Sequence, residues 1–327
     1  MTTSFTTLPI VSLSALSEPH PDPTALSALS SKLNEVFSTT GFAYLVDLPL
    51  TYAHEDVFGL CDSFFSSNGL TADEKMRLAK KTFVKSNTNT YRGYFPPQIG
   101  SDNLKEGFEI GPYSSTGSTS KATTKFNLAE PNVWPTGHSE FQHRAETLYQ
   151  ELQDMSARLL TVLAGSLGQV PEYFDSYLKD SLSTLRLLHY PPLPKEQKGQ
   201  ELICTPHTDS GILTVLHQDS TGGLEVLNSD GEWIAAPYIP GSVVVNIGDL
   251  MAKVSGGRWV ATMHRVRAPK YEGERKGRYS VPFFFEPGMD CVVKAVGQDK
   301  GVVYGEHVLQ KMKTWVEFQD VDVADGA

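Results

Sequence analysis

The sequence predicts an α+β chain with a mostly β core, a sandwich or barrel of short strands with helices packed on its outside. Between residues 183 and 294 the chain breaks into short β-branched and aromatic runs separated by Gly, Pro, Asp and Asn turns. Runs of that length and spacing are the mark of sandwiches and barrels. Upstream, several stretches instead repeat apolar residues at helical spacing. No internal repeat cuts across this division.

TLPIVS (7–12) reads as a short strand. From Thr24 to Ser38, Leu26, Leu29, Leu33 and Phe37 mark an amphipathic helix. GFAYLVDLPL (41–50) is a strand after a glycine turn, and a second helix is expected over Glu55–Phe65. Thr71-Ala-Asp-Glu74 fits a capping box, so a third helix begins there. RGYFPP (92–97) and EGFEIGPY (106–113) read as irregular, and the Ser/Thr-rich 114–124 as a surface loop. A long helix is expected over Glu140–Gly168, with Leu148, Leu152, Met155, Leu159 and Leu163 on one side. GILTVLHQ (211–218), GGLEVLN (222–228), EWIAAP (232–237), SVVVNIG (242–248), TMHRVRAP (262–269) and RYSVPFFFEP (278–287) supply the strands. A helix over Tyr304–Trp315 closes the chain.

A chain of 327 residues, 20% charged and 40% hydrophobic, suits one large domain or two small ones. Its net charge of −10 argues against nucleic acid or an anionic membrane as partner. No apolar run reaches the roughly 18 residues of a membrane span, and the N-terminus lacks the basic start of a signal peptide. Three widely spaced cysteines argue against a disulfide framework and for the cytoplasm. The oligomeric state stays open.

His207 and Asp209 in CTPHTDSGILT (204–214) are the first candidate site. Two residues apart on a strand, they share a face and converge on one point. Alone, the pair equally fits a polar patch at a strand end. Among His217, Asp219, His264 and His307, His264 is the favoured third donor. It lies in strand-like TMHRV, 264 − 209 = 55 residues on, enough chain to bring another strand alongside. His217 is a whole strand away, and His307 is expected to be exposed on the terminal helix. Cys204, at an odd offset from His207, is expected on the opposite face as a packed residue. Two imidazoles and one carboxylate are the donor set of non-haem Fe(II). Arg278 and Ser280, also two apart, aim a guanidinium fork and a hydroxyl at a common anion, best a carboxylate.

HTD (207–209), MHRV (263–266) and RYS (278–280) together resemble the isopenicillin-N-synthase-like branch of the Fe(II)/2-oxoglutarate-dependent oxygenases. LPIVSLSAL, GFAYLV, RGYFPP and EGFEIG are similar to that family's N-terminal region, and LRLLHYPP, GGLEV, GEWI, VVVNIGDL and PFFFEP to its core. The resemblance implies a double-stranded β-helix (jelly roll). It divides the chain into an N-terminal oxygenase-associated region (1–125), a scaffold helix region (126–180), the oxygenase core (181–295) and a C-terminal helix and tail (296–327). It implies Fe(II) on His207, Asp209 and His264, with 2-oxoglutarate and O2 as co-substrates. Arg278 and Ser280 would hold the distal carboxylate, assisted by Tyr190. Leu188 stands where the family often has Asn.

The implied chemistry is oxidative decarboxylation of 2-oxoglutarate to succinate and CO2, coupled to hydrogen abstraction from a substrate carbon. Within the family the chain most resembles fungal thymine-7-hydroxylase-type and secondary-metabolism enzymes. Ser210 replaces the aromatic residue that follows HTD in thymine hydroxylase, which points to a different substrate. The expectation is oxidation of a C–H, favouring a methyl, on a small oxygenated aromatic or heteroaromatic compound. The outcome is hydroxylation or a radical-driven rearrangement such as tropolone-type ring expansion. Thymine 7-hydroxylation, an oxidase using no 2-oxoglutarate, and a non-catalytic sensor of the same fold are the alternatives. Candidate substrate contacts are Phe284 (an even offset from Arg278), Arg186 (an even offset from Tyr190), Ser210 and Arg92.

Overall fold

The computed structural model describes residues 3–18, 20–97, 104–112, 127–192, 202–268 and 277–313. The Ser/Thr-rich stretch 114–124 and the expected end of the last helix, 314–315, lie outside them. The described strands are β1 (Ile10–Ser12), β2 (Phe42–Val46), β3 (Gly93–Phe95), β4 (Glu106–Ile110), β5 (Thr184–Tyr190), β6 (Leu202–His207) and β7 (Leu213–Gln218). They continue with β8 (Leu224–Leu227), β9 (Trp233–Ala235), β10 (Val243–Ile247), β11 (His264–Arg267), β12 (Arg278–Phe285), β13 (Val292–Lys294) and β14 (Gly301–Val303). The helices are α1 (Pro23–Thr39), α2 (His54–Phe65), α3 (Ala72–Arg77), α4 (Ser139–Ser166), α5 (Asp175–Leu178), α6 (Asp249–Val254) and α7 (Tyr304–Met312).

Local chemistry sets the helix starts. Asp22 caps α1 by accepting from the Ala25 amide at 3.0 Å, with Pro23 at the first helical position. At α3 the expected capping box is present in both directions: Thr71 Oγ1 accepts from Glu74 N, and Glu74 Oε2 accepts from Thr71 N. Helix α4 buries the predicted stripe Leu148, Leu152, Met155, Leu159 and Leu163. Gly41 turns the chain into β2 at φ +69°, where a Cβ would meet the Val260 carbonyl oxygen at 2.3 Å.

Two sheets form the core. One has eight strands in the order β1-β2-β10-β7-β12-β5-β4-β3, the other four in the order β6-β11-β8-β9. Side chains alternate across each strand, so the large sheet has two distinct faces. Outward, Leu185, Leu187, Val215, Val245, Val281, Phe283 and Phe285 join one apolar cluster with residues of α1, α2 and α4. Inward, Phe42, Tyr44, Leu188, Tyr190 and Val244 meet Ile203, Leu224, Val226 and Val266 of the small sheet. Each fully buried side chain of this kind contributes about 1.5–3 kcal/mol. The expected jelly roll with outer helices is the observed fold.

The structure corrects three expectations. RGYFPP and EGFEIGPY contribute β3 and β4, which pair with each other and extend the large sheet beyond β5. Their strand character was hidden because Glu106 and Glu109 sit inside a strand. Both carboxylates are buried only because cations meet them, Lys75 at Glu106 and Lys80 and Arg186 at Glu109. Cys204 does not face away from His207: its Sγ lies 3.8 Å from His207 Nδ1. The β6–β11 register slips by one between His264↔His207 and Val266↔Cys204, and that bulge cancels the odd offset. His307 is half-buried, hydrogen-bonded to the Ser210 main chain.

Candidate active site

His207 ends β6 and His264 opens β11, and the two are direct cross-strand partners. Asp209 follows two residues after His207, where the chain leaves the sheet. One ligand atom from each of the three lies within 4.8 Å of the others. Asp209 Oδ1 is 3.9 Å from His207 Nε2 and 3.7 Å from His264 Nε2.

Every remaining polar atom of the triad is engaged elsewhere. His207 Nδ1 donates to the Thr205 carbonyl at 2.8 Å, and His264 Nδ1 to the Thr262 carbonyl at 3.2 Å. Each bond fixes the tautomer and turns Nε2 toward the common point. Asp209 Oδ2 accepts from Thr214 Oγ1 at 2.5 Å and from Asn246 Nδ2 at 2.7 Å, leaving Oδ1 facing the histidines. The Asp209 main-chain oxygen accepts from Asp249 N at 2.7 Å, tying the loop to α6. Burial opposes charge on Asp209, but the two imidazoles and the Asn246 and Thr214 hydrogen bonds outweigh it and hold the carboxyl below its ordinary value. Burial, only partly countered by Asp209, holds His264 below its usual value, in the neutral form a metal requires. Burial opposes charge on His207, but Cys204 and Asp209 outweigh it and push that imidazole up to about 9, so a metal binding there displaces its proton. Two imidazoles, one ionised carboxylate and a fixed set of outer partners fit Fe(II).

Along the inner face of β12 the side chains run Arg278, Ser280, Pro282, Phe284. Arg278 is 1% exposed. Its Nε donates to the Gly222 carbonyl at 2.8 Å, and both terminal nitrogens are buried without an acceptor among the described residues. Leaving two cationic donors unmatched inside a roll is costly unless an anion meets them. Tyr190 is the cross-strand partner of Arg278, its ring 5.1 Å from the guanidinium carbon, and Ser280 pairs between Leu188 and Gln218. A guanidinium fork beside a buried hydroxyl fits the distal carboxylate of 2-oxoglutarate.

Further along the same face, Asn246, Thr214, Phe284 and Thr184 are successive cross-strand partners on β10, β7, β12 and β5. Phe284 therefore shares a row with the two residues that hold Asp209. Arg186 lies over it at 5.3 Å and over Phe95 at 5.8 Å, and pairs with Glu109 of β4. Burial opposes charge on Glu109, but Arg186 and Lys80 prevail and keep it below the usual carboxylate range.

Arg92 sits differently. It is fully buried, and its guanidinium donates to Thr184 Oγ1 at 2.7 Å and to the carbonyls of Leu182, Leu128 and Ile110. It ties β5 to the neighbouring loops, with its terminal nitrogens committed to protein acceptors. Ser210 stands beside the triad under α7, its main chain meeting His307. His217 faces outward, buried between Tyr52 and His54, away from the triad. The residues missed by sequence reasoning are Thr214, Asn246 and Glu109. Thr214 and Asn246 occupy inward positions of GILTVLHQ and SVVVNIG, so strand alternation was the available signal.

Residues 181–287 match the model of the 2OG-Fe(II) oxygenase superfamily, and residues 8–137 that of the N-terminal region of non-haem dioxygenase in morphine synthesis. A 2-oxoglutarate-dependent dioxygenase of Didymella fabae is 33% identical over 323 residues, covering 92% of each chain. Clavatol oxidase of Penicillium crustosum is 31% identical, covering 90% of each. The structure of Neurospora crassa T7H with α-ketoglutarate (2-oxoglutarate) and thymine has a TM-score of 0.77 and 27% identity, covering 94% of this chain and 97% of that one. The chain belongs to the 2-oxoglutarate–Fe(II) oxygenase superfamily. It is a dioxygenase that uses Fe(II) and 2-oxoglutarate.

Proposed function

We propose that His207, Asp209 and His264 hold the iron, that Arg278, Ser280 and Tyr190 hold 2-oxoglutarate, and that the substrate is a small, oxygenated aromatic or heteroaromatic ring oxidised at a C–H, favouring a methyl, in fungal secondary metabolism. The observation that carries the substrate reading is Arg186 lying between the Phe284 and Phe95 rings, with Phe284 on the row that fixes Asp209. An apolar ring face with a cation beside it suits a planar substrate carrying an oxygen acceptor. Two relatives support a ring substrate: one is named clavatol oxidase, and T7H was solved with thymine.

When bound, Fe(II) with 2-oxoglutarate and O2 supplies an oxidant that removes hydrogen from the nearest substrate carbon. The protein decides which carbon that is. Thr214 and Asn246 hold Asp209 so that one oxygen alone faces the metal. Arg278 and Ser280 anchor the far end of the co-substrate, which fixes where its keto-acid end lies. Phe284 and Arg186 set the plane and the edge of the substrate, and position decides between hydroxylation and rearrangement such as ring expansion. The three cysteines are unpaired, which supports a cytoplasmic setting.

Succinate release with a panel of methylated phenols and quinols, set against thymine, tests the reading. Substrate-dependent succinate with the phenols is expected. Stimulation by thymine alone would establish pyrimidine chemistry instead, and product without succinate would establish an oxidase.

A further inference from the structure

Three polar side chains gather on the outer face of the large sheet, on the side of β7 away from the triad. Tyr52 lies just before α2, His54 is the first residue of α2, and His217 comes from β7. The His217 ring stands 5.4 Å from that of His54 and 6.0 Å from that of Tyr52. His217 is 1% exposed. Its Nδ1 and the Tyr52 hydroxyl are both buried, and neither has a hydrogen-bond partner among the described residues. Each such unmet group costs about 1–3 kcal/mol, so two side by side call for a shared partner. His54 Nε2 donates to the Gln218 carbonyl at 3.4 Å, which leaves the lone pair of that ring on Nδ1. Phe58 and Tyr238 flank His54, with rings at 5.0 Å and 5.4 Å. The charges bearing on Tyr52 and His54 are acidic, those of Glu151 and Glu55.

We propose that Tyr52, His54 and His217 form a second metal site, which takes Zn(II) on two imidazole nitrogens and the Tyr52 oxygen. Two imidazoles that share one ion through bonds of about 2.0–2.1 Å must stand close together. The rings of the iron triad, His207 and His264, are 4.2 Å apart, and those of His54 and His217 are of the same order. Imidazole donors suit Zn(II), and no carboxylate joins the set to favour a harder ion. Both rings are held neutral, the form a metal requires. Burial and the neighbouring His54 bring His217 down to about 3, and burial outweighs Gln218 and Glu55 to lower His54. Burial, with Glu151 adding to it, raises the Tyr52 phenol well above its ordinary value, and a cation in the site opposes that rise. The ion ties α2 to β7, the strand whose inward Thr214 holds Asp209. It is a structural ion, separate from the iron.

Zn(II) alone is added to the full-length, metal-free wild type and to His207→Ala/Asp209→Ala, in which the triad is disabled. Bound zinc is counted after equilibrium dialysis, and thermal melts follow the same samples. The wild type binds two zinc ions per chain, and the triad-disabled variant binds one, with a rise in Tm. Adding His54→Ala or Tyr52→Phe to either background weakens this second ion at least tenfold and removes its share of the rise. Tyr52→Phe leaves the metal-free Tm unchanged or higher, because the hydroxyl has no partner to lose. If His54→Ala or the triad-disabled variant does not fold, Tyr52→Phe in the wild-type background decides. One zinc ion in the wild type, no zinc on the folded triad-disabled variant, or unaltered affinity in either folded variant of the cluster overturns the proposal.

Discussion

Replacing Arg278 by Met gives the most quantitative expectation. Methionine keeps an extended side chain of similar reach and removes the charge. In the absence of 2-oxoglutarate the loss is the Nε–Gly222 hydrogen bond, about 1 kcal/mol. It is offset by relief of a guanidinium whose terminal nitrogens are buried without acceptors. The folded protein should therefore change in stability by no more than about 1 kcal/mol. With 2-oxoglutarate the balance reverses, because a carboxylate buried against Met loses its counter-charge. Removing one partner of a buried ion pair costs about 3–5 kcal/mol. At about 1.4 kcal/mol per decade, the 2-oxoglutarate KM should rise at least roughly 100-fold. Steady-state succinate formation against 2-oxoglutarate concentration measures it, and thermal melts with and without 2-oxoglutarate show whether the co-substrate still stabilises the fold. An unchanged KM in a folded variant refutes the role given to Arg278.

Asn246→Leu removes one of the two donors to Asp209 Oδ2 and should weaken Fe(II) binding by about 10–100-fold, read by anaerobic titration. Thr71→Ala breaks the capping box of α3 and should cost about 1 kcal/mol in urea unfolding without altering the 2-oxoglutarate KM. Glu106 is buried, which opposes its charge, but His189, Lys75 and Tyr94 outweigh burial and hold its carboxyl below the ordinary 4.5. A depressed carboxyl stabilises the fold above its unfolded pKa, and that stability is lost as pH falls through the folded value. Glu106→Gln should therefore flatten the stability-versus-pH curve below about 4.5, and an unaltered acid limb would remove Glu106 from the account.

The parts of this molecule legible in sequence are those fixed by local periodicity. Strand alternation placed Arg278 with Ser280 on a shared face, and helical spacing with capping chemistry located α1, α3 and α4; Asp209 meets His207 from just past the end of β6, not from within the strand. What stayed hidden depends on which strand becomes whose neighbour. β3 and β4 read as irregular because Glu106 and Glu109 look like surface residues until Lys75, Lys80 and Arg186 arrive from elsewhere in the chain. The bulge opposite β11 reversed the side on which Cys204 was expected, since a one-residue slip inverts every later parity. Thr214 and Asn246 looked like ordinary strand residues until the loop carrying Asp209 folded against them. Arg92 carried a cation's promise for the mouth, but its terminal nitrogens are committed to the Thr184 hydroxyl and to main-chain oxygens visible only once β5 and its neighbouring loops are placed.

The proposed site is tested most directly by anaerobic addition of Fe(II) and then 2-oxoglutarate to the wild type and to His207→Ala. The wild type should develop the visible charge-transfer absorption of a 2-oxoglutarate–Fe(II) complex, saturating at one iron per chain, and His207→Ala should show none at the same concentrations. No band in the folded wild type, or an undiminished band in His207→Ala, contradicts the assignment of the triad.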